Sequence, residues 1–277
     1  MIDDRQLVAS IAERVGSKQE ARWIVDHAGG EHALELAERR SAGEPLQYVL
    51  GAWPFRNLEL RVDPRVLIPR PETEQLVDAA LEELGHLGPS AGGRVAVDLG
   101  TGSGAIALSL ALEGQAICPD LEVWGTDASL DALEVVRENL ASLGGIDPIA
   151  ARRVRVVEGS WYDALPVELT GRVDLLVSNP PYVAESEYPD LDSTVREWEP
   201  RGALVAGAGA TGVDGMAAIE EIIAGAHRWL ARPAAMVIEI APTLGEECVA
   251  AARRAGYEQA TLKRDLAGRV RFLVVRN

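Results

Sequence analysis

Apolar residues recur at helical spacing through the first 45 positions of the chain. Leu7, Val8, Ile11 and Val15 form one stripe behind Asp3 and Asp4, which are placed to cap it. Ala21, Ile24, Val25 and Ala28 form a second stripe, ended by Gly29-Gly30. Ala33, Leu34, Leu36 and Ala37 form a third, ended near Gly43. Helices this short are marginal alone in water, so they must pack on one another. Residues 1–45 therefore read as a small helical domain. Residues 46–72 differ: Pro45, Gly51, Pro54, Pro64, Pro69 and Pro71 punctuate short runs at 58–62 and 66–68. Such runs bounded by proline predict a hairpin or extended linker. A helix is predicted over 73–84, with Leu76, Val77, Ala80, Leu81 and Leu84 on one face.

From Arg94 onward, apolar runs of strand length alternate with helical ones. Strands are predicted at 95–99, 121–126, 154–157, 173–178 and 235–240, and helices at about 103–112, 130–143, 215–230 and 245–255. Two late strands, at 259–262 and 270–275, are joined by a short turn and should pair antiparallel at one edge. The pattern implies an α/β fold over 73–277, with a mostly parallel sheet covered on both faces.

Charge narrows the function. The 277 residues carry 27 Lys+Arg against 43 Asp+Glu, a formal net charge of −16. That balance argues against a non-specific nucleic-acid binder, which needs cations to displace counterions from phosphates. Cys118 and Cys248 lie in no CxxC pair, and His27, His32, His86 and His227 are scattered, so no metal is expected. The N-terminus lacks the basic and apolar regions of a signal peptide, and no run of ~18 apolar residues offers a membrane span. The expectation is a cytoplasmic protein without membrane contact.

Two motifs carry chemistry. Asp98-Leu99-Gly100-Thr101-Gly102-Ser103-Gly104 follows the first apolar strand. Glycines there let a ligand approach the backbone, at the sheet edge where α/β proteins bind ligands. Asp127 ends the next strand, where a carboxylate can accept from ribose hydroxyls. With Ala105 as third small residue the loop fits a relaxed dinucleotide fingerprint. Its acid-x-Gly-x-Gly-x-Gly spacing fits S-adenosylmethionine completely. The second motif, Asn179-Pro180-Pro181-Tyr182, follows the fourth strand and so falls at the same edge. Its prolines stiffen the turn and remove two N–H donors. The Asn179 carbonyl and a proline carbonyl are left to accept from a planar NH₂ group, with Tyr182 packing on its plane. An NAD-linked oxidoreductase would leave this motif unexplained, and an inactive cofactor-binding regulator has no need of Asn179.

The chain resembles the HemK-like (PrmC) peptide chain release factor glutamine methyltransferases over nearly its whole length. The resemblance is carried by Pro45-Leu46-Gln47-Tyr48-Val49-Leu50-Gly51, by Val66-Leu67-Ile68-Pro69-Arg70-Pro71-Glu72-Thr73-Glu74, by both motifs above and by 263–269. It implies a seven-stranded Rossmann-like methyltransferase domain over 73–277, a hairpin linker over 46–72, and an N-terminal domain over 1–45 that grips the release factor. The implied reaction transfers methyl from S-adenosylmethionine to the side-chain nitrogen of glutamine in the Gly-Gly-Gln loop of release factors. Asp98, Gly100, Thr101, Gly102, Ser103, Gly104, Asp127 and Asn179 would hold the cofactor, and Asn179, Pro180, Pro181 and Tyr182 would be the catalytic residues that bind glutamine. Trp161 would lie beside adenine; by its position after a strand alone it fits core packing equally well. The alternative is an amino methyltransferase of adenine or guanine, which would require a basic face or an added nucleic-acid domain. Between Tyr182 and Pro200 stand Glu185, Glu187, Asp190, Asp192, Glu197 and Glu199 against Arg196. An acidic loop beside the catalytic turn would steer a basic release factor toward Asn179.

Overall fold

The computed structural model describes residues 4–277, so the capping expected of Asp3 lies outside the described residues. Helices α1 (Asp4–Val15), α2 (Lys18–Ala28) and α3 (Gly30–Ser41) pack around Leu7, Ile11, Ile24 and Leu36. The Ser17 hydroxyl caps α2 by accepting from the Glu20 N–H at 3.2 Å. Leu46 and Val49 of α4 (Leu46–Leu50), a short helix the periodicity does not reveal, join the same cluster.

The linker does contain a hairpin, but not between the two apolar runs. β1 (Ala52–Phe55) pairs antiparallel with β2 (Leu58–Arg61). Pro54 is tolerated because β1 has no second neighbour to receive an N–H. Val66 and Ile68 are buried without forming a strand. Side chains satisfy that backbone instead: the Tyr48 hydroxyl donates to the Val66 carbonyl at 2.5 Å, and the Ile68 N–H donates to Glu199 at 3.1 Å.

α5 (Pro71–Leu87) begins before the expected residue 73 because Pro71 is well suited to a first turn, where its missing N–H is not needed. Arg56, in the hairpin turn, binds the linker to the α/β domain. It donates to both Glu113 oxygens at 2.8 and 2.7 Å, to the Glu74 carbonyl at 2.6 Å, and pairs with Asp78 at 2.8 Å. Asn139 makes a second tie, accepting from the Arg61 N–H at 2.7 Å and donating to the Arg61 and Ser103 carbonyls.

The α/β domain holds β3 (Arg94–Leu99), β4 (Leu121–Asp127), β5 (Val154–Glu158) and β6 (Val173–Ser178). After a small parallel pair, β7 (Val183–Ala184) and β8 (Val205–Ala206), come β9 (Leu230–Glu239), β10 (Gln259–Arg264) and β11 (Val270–Arg276). The seven-stranded sheet runs β10-β11-β9-β6-β3-β4-β5. β3, β4, β5, β6 and β9 are parallel, and β11 is antiparallel to both neighbours. This is the expected mixed sheet with its late edge pair. α6 (Ala105–Glu113) and α5 cover one face, packing on Ala96, Leu175 and Val177. α8 (Ala217–Gly225) and α9 (Gly245–Arg254) cover the other, packing on Val97, Leu99 and Leu176. Alternate residues of β3 and β6 thus enter opposite cores, which is why the strands read as unbroken apolar runs. α7 (Leu130–Ile146) lays Ala132 and Val135 against linker residues Val62, Val66 and Ile68. No helix of the described residues is long and apolar enough to cross a membrane.

Arg56→Ala should lower the unfolding free energy by about 1–3 kcal/mol, the range for losing hydrogen bonds to charged groups. Denaturant unfolding checks it; an unchanged midpoint would show that the hairpin is held elsewhere.

Candidate active site

The chain passes β3 to β4 to β5 in one direction and β6 to β9 in the other, so strand order reverses between β3 and β6. Ligands of open α/β sheets bind beyond the carboxyl ends of the strands at such a point. The glycine loop leaves β3 there. Gly100 and Thr101 N–H groups both donate to the Thr126 carbonyl, at 2.9 and 2.8 Å. The Gly102 N–H donates to Asp127 Oδ2 at 2.8 Å, while the Ser129 N–H donates to Oδ1 at 2.9 Å. With the Ala128 backbone as a third donor, the Asp127 carboxylate still keeps acceptor capacity. Burial raises the Asp127 pKa, and these backbone donors oppose the rise.

A cavity of about 550 Å³ opens beside the loop, a size typical of small-ligand sites. Its walls include Gly100, Thr101, Gly102, Ser103, Asp127, Trp161, Asn179 and Pro181. Linker residues Arg65, Val66, Leu67, Pro69 and Arg70, with Thr73 of α5, complete one side. A Cβ on Gly102, at φ +54°, would meet nothing within 4 Å, so bare backbone faces open space. Trp161 holds φ +45°, a conformation rare for an aromatic residue. A Cβ on Gly100 would stand 3.3 Å from the Trp161 ring, whose Nε1–H donates to Glu221 at 3.1 Å. Bare backbone, a carboxylate with spare acceptor positions and an aromatic wall fit the methionine, ribose and adenine parts of S-adenosylmethionine.

The other expected residues are placed differently. Asp98, Gly104, Pro180 and Tyr182 are not among the cavity walls. Asp98 is wholly buried behind the loop, where its Oδ2 accepts from the Thr101 hydroxyl at 2.6 Å and the Ala107 N–H at 3.2 Å. Its Oδ1 has no partner. Burial pushes its pKa up to about 7. Gly104 serves packing: at φ +86°, a Cβ would fall 2.5 Å from Val136 and 3.1 Å from Leu108.

Asn179 directly follows β6, whose last residue, Ser178, donates its hydroxyl to the Leu99 carbonyl at 2.6 Å. The Asn179 side-chain NH₂ donates to Thr73 Oγ1 at 3.2 Å. The Thr73 hydroxyl donates to Glu239 Oε2 at 2.8 Å. The Tyr182 hydroxyl donates to Glu239 Oε1 at 3.2 Å and accepts from Arg271 at 3.1 Å. Arg271 also pairs with Glu239 at 3.3 Å. Burial raises the pKa of fully buried Glu239, against Arg271 and the Thr73 and Tyr182 hydroxyls. Burial likewise keeps Tyr182 a phenol. Sequence reasoning missed Thr73, Glu239 and Arg271. One signal was available: Glu239 is the lone acid in the apolar run of β9.

The acidic loop is less free than its charge count suggests. Glu199 is buried, paired with Arg70 and accepting from the Ile68 N–H. Glu185 pairs with Arg201, Glu197 with Arg196, and Asp192 accepts from the Thr194 N–H. Elsewhere, Glu82, Glu83 and His86 have ligand atoms within 4.8 Å of one another. Both acids are engaged by cations: Glu83 takes two hydrogen bonds from Arg276, and Glu82 pairs with Lys263.

This sheet order, with a glycine loop and an acid at neighbouring strand ends, defines an S-adenosylmethionine-dependent methyltransferase. A structure of a methyltransferase from Pyrococcus furiosus shares the fold with a TM-score of 0.53 at 17% identity, covering 80% of this chain and 89% of that one. Residues 75–194 match the methyltransferase small domain family. The release factor glutamine methyltransferase of Bordetella pertussis is 41% identical over 95% of this chain and 85% of its own length. That of Deinococcus radiodurans is 38% identical over 95% and 82%. The chain belongs to the release factor glutamine methyltransferase family.

Asp98 generates a test of the loop. An acid with a raised folded pKa holds its proton more tightly in the native state than in the unfolded chain. Its contribution is fully present below the unfolded value near 4 and is lost as pH rises through about 7. Asp98→Asn should therefore gain stability relative to wild type as pH is raised from about 5 to about 8. Denaturant melts at both values check this; a constant difference would remove Asp98 as a titrating group.

Proposed function

We infer that this chain transfers a methyl group from S-adenosylmethionine to the side-chain amide nitrogen of the glutamine in the Gly-Gly-Gln loop of release factors. The observation that carries the reading is Asn179. It stands in the same cavity as the glycine loop and Asp127, with its NH₂ tied back to Thr73. Its carbonyl oxygen is thus left for a substrate NH₂ group. Membership of a family whose relatives bear this activity supports the same substrate.

Bound in the cavity, S-adenosylmethionine would supply an electrophilic methyl carbon on a sulfonium, whose C–S bond breaks as the N–C bond forms, so that the leaving group is the neutral thioether S-adenosylhomocysteine. Gly100, Thr101, Gly102, Ser103 and Asp127 would hold it, with Trp161 beside the adenine. Asp98 and Gly104 would act by shaping the loop from behind. A glutamine amide nitrogen is a poor nucleophile because its lone pair is delocalised into the carbonyl. The Asn179 carbonyl and a proline carbonyl of the same turn would each accept one amide hydrogen. Held so, the nitrogen is favoured in a pyramidal form with its lone pair directed at the methyl carbon. The same acceptors stabilise the positive charge that develops on nitrogen. The methylated nitrogen is then acidic enough to lose its proton without a strong base. Tyr182, anchored by Glu239 and Arg271, stiffens the turn.

The helical unit over 1–45 would grip the release factor, and the linker over 46–72 would set its position relative to the 73–277 domain. Action on release factors places the work in the cytoplasm. The net charge of −16 weighs against nucleic acid as the direct substrate.

Incubation with radiolabelled S-adenosylmethionine should put label on release factor glutamine; label on RNA or DNA alone overturns the reading. Asn179→Ala should lose ~10²–10³-fold in kcat, the scale for a lost transition-state hydrogen bond, with cofactor affinity retained. Asp127→Ala should weaken S-adenosylmethionine binding ~10-fold or more by calorimetry, as expected for losing a charged acceptor. Unchanged affinity would take Asp127 out of the site.

A further inference from the structure

We propose that Thr73 and Glu239 are positioning residues that decide which end of the Asn179 amide faces the substrate. The proposal builds on the glutamine-methylating reading of the site. A carboxamide is nearly symmetric in shape, so a half-turn about its last bond exchanges C=O and NH₂ at little steric cost. Only one orientation can accept a hydrogen from a substrate NH₂ group. The opposite orientation offers donor to donor, and the amide hydrogen whose acceptor matters in the transition state is left without one.

The hydrogen-bond directions settle the choice. Thr73 has one hydroxyl proton, and Glu239 Oε2 lies 2.8 Å from its oxygen. A carboxylate only accepts, so the proton points to Glu239. Toward Asn179, 3.2 Å away, the Thr73 oxygen can then only accept. Asn179 must present its NH₂ to Thr73, which leaves Oδ1 for the cavity. Glu239 is fully buried and flanked by Arg271 at 3.3 Å and the Tyr182 hydroxyl at 3.2 Å. These donors stabilise its ionised, accepting form. Direction thus passes from Arg271 on β11 to Glu239 on β9, to Thr73 on α5, to Asn179 beyond β6. Glu239 lies outside the cavity walls, so it acts through Thr73 and not by touching substrate.

Glu239→Gln keeps the shape and adds a donor. The glutamine NH₂ can donate to Thr73, whose proton is freed to bond Asn179 Oδ1 and turn the amide over. Thr73→Val removes the acceptor at constant volume, and Thr73→Ser restores it. We expect Glu239→Gln and Thr73→Val to lower kcat on release factor by ~10–100-fold, part of the effect of losing the acceptor itself. Release factor KM and S-adenosylmethionine affinity should stay within about twofold of wild type, because ground-state contacts persist. Thr73→Ser should recover most of the lost kcat. In the NMR spectrum, a cross-peak between the Asn179 NH₂ protons and the residue-73 methyl should be present in wild type and lost in Glu239→Gln. Near-wild-type kcat in both disruptive variants, or an equal loss in Thr73→Ser, overturns the proposal. So does a persisting cross-peak in Glu239→Gln. Should that variant fail to fold, the Thr73→Val and Thr73→Ser pair decides alone. If wild type labels no release factor, the functional reading fails instead, and the cross-peak still judges the amide orientation.

Discussion

Consecutive residues at the start of α5 bind separate parts of the chain. Arg70 pairs with Glu199 from the acidic loop. Pro71 opens the helix with no N–H to satisfy. Glu72 accepts from Arg269 of the β10–β11 turn at 2.8 Å. Thr73 joins Glu239 to Asn179, and Glu74 receives the Arg56 N–H and guanidinium from the hairpin. A single helical turn therefore gathers the linker, the late antiparallel pair, the interior strand β9 and the Asn179 turn. This gives a physical reason for the Arg-Pro-Glu-Thr-Glu run to be specific: each residue type answers a different partner, and Pro71 pins the helix start that aligns them.

Parallel register does the complementary work. Leu99 is level with Thr126 on one side and Ser178 on the other. The next residues out are the glycine loop, Asp127 and Asn179, so their meeting follows from strand pairing and needs no long-range loop to carry them. A slip of one residue in β6 would exchange its two buried faces, putting Leu176 where Leu175 and Val177 now pack. The hydrophobic core that stabilises the sheet thereby fixes the distance between the glycine loop and the Asn179 turn. Thr126 reinforces it, because one carbonyl holds both Gly100 and Thr101.

The sheet and the outline of the site were legible because both are written in local patterns. Runs of strand length, apolar in all but β10, mark all seven strands, and the two motifs sit at strand ends where α/β chemistry belongs. What was not legible depends on pairing between distant positions. β2 was visible as an alternating run, but its partner β1 contains Trp53 and Pro54 and shows no strand signature. Thr73 looked like an ordinary helix-start residue until Glu239, 166 positions away, came to face it. Gly104 and Asp98 belong to the motif by spacing, yet what each touches, Val136 for one and Thr101 for the other, is a property of the fold. Motif spacing reports that a loop must take one shape; it does not separate residues that meet a ligand from those that keep the shape.

The acidic surplus shows the same limit for electrostatics. A formal charge of −16 counts Glu199 as it counts any surface acid. In the fold its carboxylate is buried between Arg70 and the Ile68 N–H, where it holds the linker against the site. Its field is cancelled at short range and reaches no approaching partner. Glu185 and Glu197 are exposed but paired with arginines, so they too project less charge than the sequence total suggests. A steering role for this loop would therefore rest on fewer than its six acids. A variant neutralising all six would remove a structural tie along with the field. The salt dependence of association with Glu199 left intact isolates the electrostatic part, because screening weakens exposed charges and leaves a buried pair largely untouched.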